Sequence, residues 1–216
     1  LSLSKFFRGW YLFGTISLKD NLFVEVSTLD SPIKEDNPIR PANPYSISKV
    51  GHDLMSQYYH NAYDMKIIIT RMFSHEGARR GKQFALSSFA HQIVQNEKGN
   101  GDGFIRHGNL ESVRTYNHIE DAIRAYWICS ESDRFGEIYN IGGNYTCTVG
   151  DTLDTLLSLS PLLNLKPLLD SDRVRPTDIT LQIPSTDKFK KHFGWEPKKD
   201  LIHICEDLLN YWREIL

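Results

Sequence analysis

The chain has 216 residues, enough for one domain or a small pair of domains with a real core. Its formal net charge of -2, from 25 Lys and Arg against 27 Asp and Glu, offers no basic stripe for nucleic acid and no polybasic patch for a membrane surface. A small anionic ligand stays possible, because that needs only a few placed arginines. Cys129, Cys147 and Cys205 stand far apart, with neither a CxxC pair nor metal-ligand spacing. That pattern reads as free thiols in a reducing compartment, which places the protein in the cytoplasm. The apolar stretch from Trp10 to Ile16 is too short to span a bilayer and lacks a small-residue cleavage site. The first residue is Leu1 rather than Met, a hint that a preceding segment belongs to the protein. Between residues 30 and 44, Pro32, Pro38, Pro41 and Pro44 deny the backbone a regular ladder and predict an extended loop. Ile47, Val50, Leu54 and Tyr58 then recur at helical spacing across 45–63, and the β-branched run at 65–70 reads as a buried strand. Helices are predicted at 84–97, 118–131, 149–159 and 201–212, and strands at 104–106, 137–141 and 165–169. This alternation implies an α/β architecture with parallel strands.

Within Pro44-Tyr45-Ser46-Ile47-Ser48-Lys49, the tyrosine and the lysine are four apart and so share one face of the predicted helix. A phenol has a reference pKa of about 10, and a neighbouring ammonium favours the phenolate, which makes tyrosine usable as an acid or base near neutrality. The spacing alone is too common to decide anything, since a packed tyrosine and a solvated lysine produce it equally well.

Its surroundings are less common. The run from Pro32 to Lys49 resembles the segment that introduces the catalytic helix of extended short-chain dehydrogenases/reductases. The run from Thr70 to Phe84, with Arg79-Arg80-Gly81, looks like the post-strand loop of GDP-mannose 4,6-dehydratases and their reductase relatives. Gly108-Asn109-Leu110 with Arg114, then His118 to Asp121, Tyr139 to Gly143, Arg175-Pro176-Thr177-Asp178 and Gly194-Trp195-Glu196-Pro197 follow in the family's order. The resemblance covers roughly residues 32–212. It implies the C-terminal part of a Rossmann-like doubly wound parallel sheet plus a small α/β substrate-binding region. Residues 1–105 and parts of 115–145 would complete the dinucleotide-binding domain, and 106–114 with 146–216 would hold the sugar nucleotide.

By the same resemblance Tyr45 is the general acid/base, and Lys49 contacts the cofactor ribose and tunes Tyr45. Both residues thus also belong to the cofactor site, with Arg79 and Arg80 approaching an NADP phosphate (NADP, or NAD). Ser74 stands where the family has an asparagine that reaches the sugar nucleotide. Arg114 and Arg175 match arginines that hold the nucleotide or its pyrophosphate, a task suited to the planar guanidinium fork. Asp178 stands for a glutamate near the ligand. Thr15 would keep the hydroxyl that polarises the sugar carbonyl. On that alignment Ser17 replaces the glutamate of a 4,6-dehydratase, and Lys19 and Asp20 replace its Tyr-Gly; a serine hydroxyl cannot shuttle a proton as a carboxylate does. The family also dimerises through the Tyr45 helix, so a homodimer or tetramer is expected.

No glycine-rich phosphate turn follows a first strand in these 216 residues, and Gly142-Gly143 comes late with the wrong spacing. Three readings follow: an NADP-linked dehydratase acting on GDP-mannose, a reductase of the GDP-linked 4-keto-6-deoxy sugar, and a sugar-nucleotide-binding remnant without catalysis. No metal is expected, since the eight histidines show no HExxH, and no Gly-x-Ser-x-Gly elbow points to hydrolysis.

Overall fold

A computed structural model of the chain describes residues 12–17 (as backbone only), 31–41, 44–174 and 181–216. In chain order the first elements are β1 (Leu12–Ser17), α1 (Pro44–Tyr63), β2 (Ile67–Met72), β3 (His75–Glu76), α2 (Ala85–Glu97) and β4 (Phe104–His107). Then come β5 (Val113–Thr115), β6 (Asn117–His118), α3 (Ile119–Ser130), β7 (Ile138–Ile141), β8 (Thr146–Thr148) and α4 (Val149–Ser158). The last are β9 (Lys166–Leu169), β10 (Leu181–Gln182), α5 (Asp187–Phe193) and α6 (Leu201–Ile215). Among the described residues no helix is long and apolar enough to cross a membrane.

The chain divides into two compact units. The first comprises Leu1–Phe73, Ala122–Gly142 and Pro184–Glu196. Its sheet has the order β1-β2-β7 and is parallel throughout, with Thr15 opposite Thr70 and Met72 opposite Ile141. Parallel neighbours cannot be joined by a hairpin, and α1 supplies the crossover from β1 to β2. All six residues of β2 are buried, as its Ile-Ile-Ile-Thr run requires of a strand covered on both faces. One apolar cluster joins Ile68, Met72, Tyr139 and Ile141 to Ala122, Ala125 and Cys129 of α3 and to Phe189 and Trp195. The other joins Ile33, Ile67, Ile69 and Phe73.

The second unit comprises Ser74–Asp121, Gly143–Ile183 and Pro197–Leu216. Its core lies among α2, α4 and α6, where Leu86, Phe89, Ile93, Leu153, Leu156, Ile204, Leu208 and Trp212 form one cluster. Thr148 and Asp151 close a reciprocal capping box on α4, and Asp200 caps α6 through the His203 amide; each cap stabilises its helix by about 1 kcal/mol. Arg213 grips both oxygens of Glu97 at 2.8 Å and ties α6 to α2.

The chain changes unit at Phe73, because α2 and β4 share their core with α4 and α6. It also returns to the first unit at Pro184–Glu196, where the Phe189, Phe193 and Trp195 rings gather around Tyr139 or one another.

Candidate active site

The first unit presents Tyr45 and Lys49 in the opening turns of α1. Pro44 starts this helix, at the position where proline's missing N–H costs nothing and its fixed φ favours helical entry. Lys49 Nζ lies 5.3 Å from the centroid of the Tyr45 ring, so the two side chains that the spacing placed on one face do meet. Tyr45 is 43% exposed.

A buried ion pair holds α1 in place. Arg71 Nε reaches Asp53 Oδ2 at 2.8 Å, with the two side chains 3% and 0% exposed, and Arg71 Nη1 donates to the Glu35 carbonyl at 2.7 Å. Glu35 Oε1 accepts from the Asn140 amide of β7, and Asn140 Nδ2 donates to the Ile33 carbonyl. Helix, strands and the proline-rich segment ahead of Tyr45 are thereby locked together. Sequence reasoning missed Asp53 and Arg71. The available signal was an arginine inside the apolar run Ile67-Ile68-Ile69-Thr70-Arg71, a position tolerated only with a buried anionic partner.

The second unit carries the loop after β2. Ser74 is buried and its carbonyl accepts from the Asn117 amide at 2.8 Å. Arg79 is exposed and sits in the left-handed region with φ 67. Arg80 is half-buried: its Nε lies 3.4 Å from Glu76 Oε2 and its guanidinium stacks 3.5 Å from the centroid of the Phe84 ring. Burial pushes the Glu76 carboxyl up to about 8 and lowers Arg80 from the ordinary arginine value. Arg80 is therefore not the solvated loop cation that exposed arginine pairs usually are. Arg114 lies on β5 beside Cys147 of β8, and its Nη1 donates to the Val113 carbonyl at 2.9 Å. Thr15 lies within β1 in register with Thr70. The Thr15 and Ser17 side chains, Lys19, Asp20, Arg175 and Asp178 lie outside the described residues.

His118, Glu120 and Asp207 bring their ligand atoms within 4.8 Å of one another. His118 Nδ1 accepts from the Glu120 amide at 3.1 Å, which leaves the proton on Nε2, and Nε2 donates to Asp207 Oδ2 at 2.8 Å. Both ring nitrogens are thus engaged, and Glu120 pairs with Lys199 at 2.8 Å. These contacts tie β6 to α6.

A parallel sheet crossed by the helix that carries Tyr45 and Lys49 is the arrangement of a short-chain dehydrogenase/reductase, and comparison with known folds agrees. A structure of RMD from Pseudomonas aeruginosa complexed with NADPH superposes with a TM-score of 0.85 at 19% identity, covering 94% of this chain and 67% of that one. A dTDP-glucose 4,6-dehydratase from Bacillus anthracis in complex with NAD gives a TM-score of 0.77 at 20% identity, over 93% of this chain and 61% of that one. The chain belongs to the GDP-mannose 4,6 dehydratase family, whose model matches residues 21–208. Among curated relatives, the low-salt glycan biosynthesis protein Agl12 of Haloferax volcanii is 27% identical over 87% of this chain. The human dTDP-D-glucose 4,6-dehydratase is 26% identical over 89% of it. This chain spans 58% and 56% of those two proteins respectively.

Proposed function

We propose that these residues form the acid/base and sugar-binding portion of an NADP-linked enzyme that exchanges hydride at C4 of a nucleotide-linked sugar, of the dehydratase type acting on GDP-mannose. The observation that carries this reading is the Tyr45–Lys49 pair, in contact at the start of a buried-ion-pair-anchored helix, inside a chain of this family. NADP(H), when bound, would supply or take the hydride. Tyr45 would hold the proton that passes to or from the C4 oxygen, and Lys49 would bind the ribose and oppose the charge that develops on the phenol. Ser74, Arg114, Arg175 and Asp178 are assigned to the sugar nucleotide, and Arg79 and Arg80 to the cofactor phosphate. The residues present suit the nicotinamide end of the dinucleotide, whereas the pyrophosphate cradle, which needs a glycine-rich turn at a helix N-terminus, is not among the 216 residues.

A reductase of the GDP-linked 4-keto-6-deoxy sugar is the second reading. Ser17 in place of the eliminating glutamate favours it, since reduction needs no carboxylate there. The GDP-6-deoxy-D-mannose reductase of Pseudomonas aeruginosa is a relative over 95% of this chain at 22% identity. Incubation with GDP-mannose and NADP, and separately with the 4-keto-6-deoxy sugar nucleotide and NADPH, tests both. Loss of water from the first supports the dehydratase, and NADPH oxidation with only the second supports the reductase. Binding of GDP-mannose with neither turnover supports the non-catalytic remnant.

A further inference from the structure

The start of α3 is closed by an imidazole. His118 ends β6 directly before Ile119, the first residue of α3, and its side chain is 0% exposed. Its Nδ1 accepts from the Glu120 amide at 3.1 Å, the bond that a capping side chain makes at a helix start. An acceptor at Nδ1 puts the ring's one proton on Nε2, which donates to Asp207 Oδ2 of α6 at 2.8 Å. The cap therefore exists only in the neutral ring. The same helix start supports the loop after β2. A Cβ on Gly77 would stand 2.5 Å from Ile119 Cγ2, so the glycine backbone lies against the first side chain of α3. The Gly77 carbonyl in turn accepts from the Arg80 amide at 3.3 Å.

We propose that His118 is a pH-operated cap: a second proton on its ring releases the Glu120 amide, loosens the first turn of α3 and, through Ile119, frees the Gly77 turn that leads into Arg79 and Arg80. Imidazole is the side chain whose ordinary titration falls between about pH 5 and 8. A protonated Nδ1 is a donor facing another N–H and the positive end of a helix, so the capping bond is lost rather than weakened. The surroundings favour the second proton. Asp207 of α6 and Glu120 of α3 bring carboxylate oxygens within 4.8 Å of a ring nitrogen. Asp121, on the same turn of α3, is a third acid, turned to the Lys198 and Lys199 amides. Lys199 is the opposing cation, set in the field of Glu120, Asp207 and Asp121. Glu76, across the β3–β6 ladder, is pushed up to about 8 by burial and adds no charge below that. The other histidine of α6, His203, is held by Asp200 at 2.7 Å. Cap and carboxylates thus pull the ring towards opposite protonation states, which is what a histidine switch requires. The consequence for the cofactor rests on the role proposed for Arg79 and Arg80, whereas the cap does not.

The test uses the chain itself, without dinucleotide or sugar. The ring nitrogens of His118 and the amides of Gly77 and Glu120 are followed by NMR from about pH 8 down to about pH 5, the ring being assigned by its loss in His118→Asn. At the alkaline end the ring should show the Nε2–H tautomer. As it takes the second proton, the protection factor of the Glu120 amide against hydrogen exchange should fall about five- to tenfold, the size of one lost cap. The Gly77 amide should shift with the same midpoint. In His118→Asn, whose carboxamide oxygen caps a helix without titrating, Glu120 protection should stay flat. Asp207→Asn, at a partly exposed position, should carry the whole response to lower pH, because the ring loses an anion. A ring with its proton on Nδ1 at the alkaline end, or a Glu120 amide indifferent while the ring titrates, overturns the cap. A ring that takes no second proton before the chain unfolds overturns the switch. A Gly77 amide that stays still while Glu120 responds overturns the coupling to the loop, and leaves the cofactor role of Arg79 and Arg80 to its own binding measurement.

Discussion

Lys49 reaches the Tyr45 ring from one helical turn away, 5.3 Å from its centroid, so a single side chain serves two tasks. Lys49→Met keeps most of the stem and removes the charge. Both turnover and dinucleotide affinity should therefore fall, as steady-state kinetics and fluorescence titration would show; a loss confined to turnover would remove the ribose contact. Glu76 makes a different demand at this scale. Burial raises its carboxyl from 4.5 to about 8, so the native protein keeps a proton that the unfolded chain releases across that window. Its stabilising contribution is complete below the lower value, shrinks as pH rises by at most about 1.4 kcal/mol per unit, and levels off above 8. Urea unfolding across this range should show that slope in the wild type and a shallower one in Glu76→Gln, and identical slopes would contradict it.

At the scale of elements, α1 has two faces with different duties. Its inner face is secured by Asp53 against Arg71 of β2. Asp53→Ala leaves a buried guanidinium without its anion and should lower stability by about 3–5 kcal/mol, read as a large drop in the urea midpoint. A small effect would show that the Asp53–Arg71 ion pair is not what secures α1. The outer face exposes Met55 and the mutually touching rings of Tyr58, Tyr59 and Tyr63. We propose that the dimer implied by the family resemblance pairs this face with its copy, so light scattering should give a dimer that Met55→Glu converts to a monomer. A chain monomeric at every concentration would leave the face unexplained. The long elements were legible because their patterns repeat: α1, α2, α4 and α6 lie within a few residues of the predicted spans. The strands β3, β5, β6, β8 and β10 have two or three residues each, too few for any period to show. The helix α5 hid in the lysine-rich run Asp187–Phe193, whose single fully buried side chain is Phe189. The spacing of Tyr45 and Lys49 foretold that they share a helix face, and it is the surrounding motif, not the spacing, that singled them out. Asp53 and Glu76 were not legible, since a carboxylate's buried partner comes from a distant strand or a tight loop.

At the scale of the whole molecule, the two units divide the proposed work. The first carries Tyr45 and Lys49, and the second carries Ser74, Arg80 and Arg114. The chain order interleaves them, so the post-strand loop passes directly from the sheet of one unit into the other at Phe73. A form that also carries a glycine-rich turn is the one in which turnover is to be sought. There, the kinetics of Tyr45→Phe on the 4-keto-6-deoxy sugar nucleotide with NADPH, and on GDP-mannose with NADP, bear most directly on the account. The substitution removes one hydroxyl and keeps the ring beside Lys49. Turnover should fall about 100- to 10,000-fold while sugar-nucleotide affinity stays within a few-fold of the wild type. Full turnover in Tyr45→Phe would make Tyr45 a packing residue and contradict the catalytic assignment.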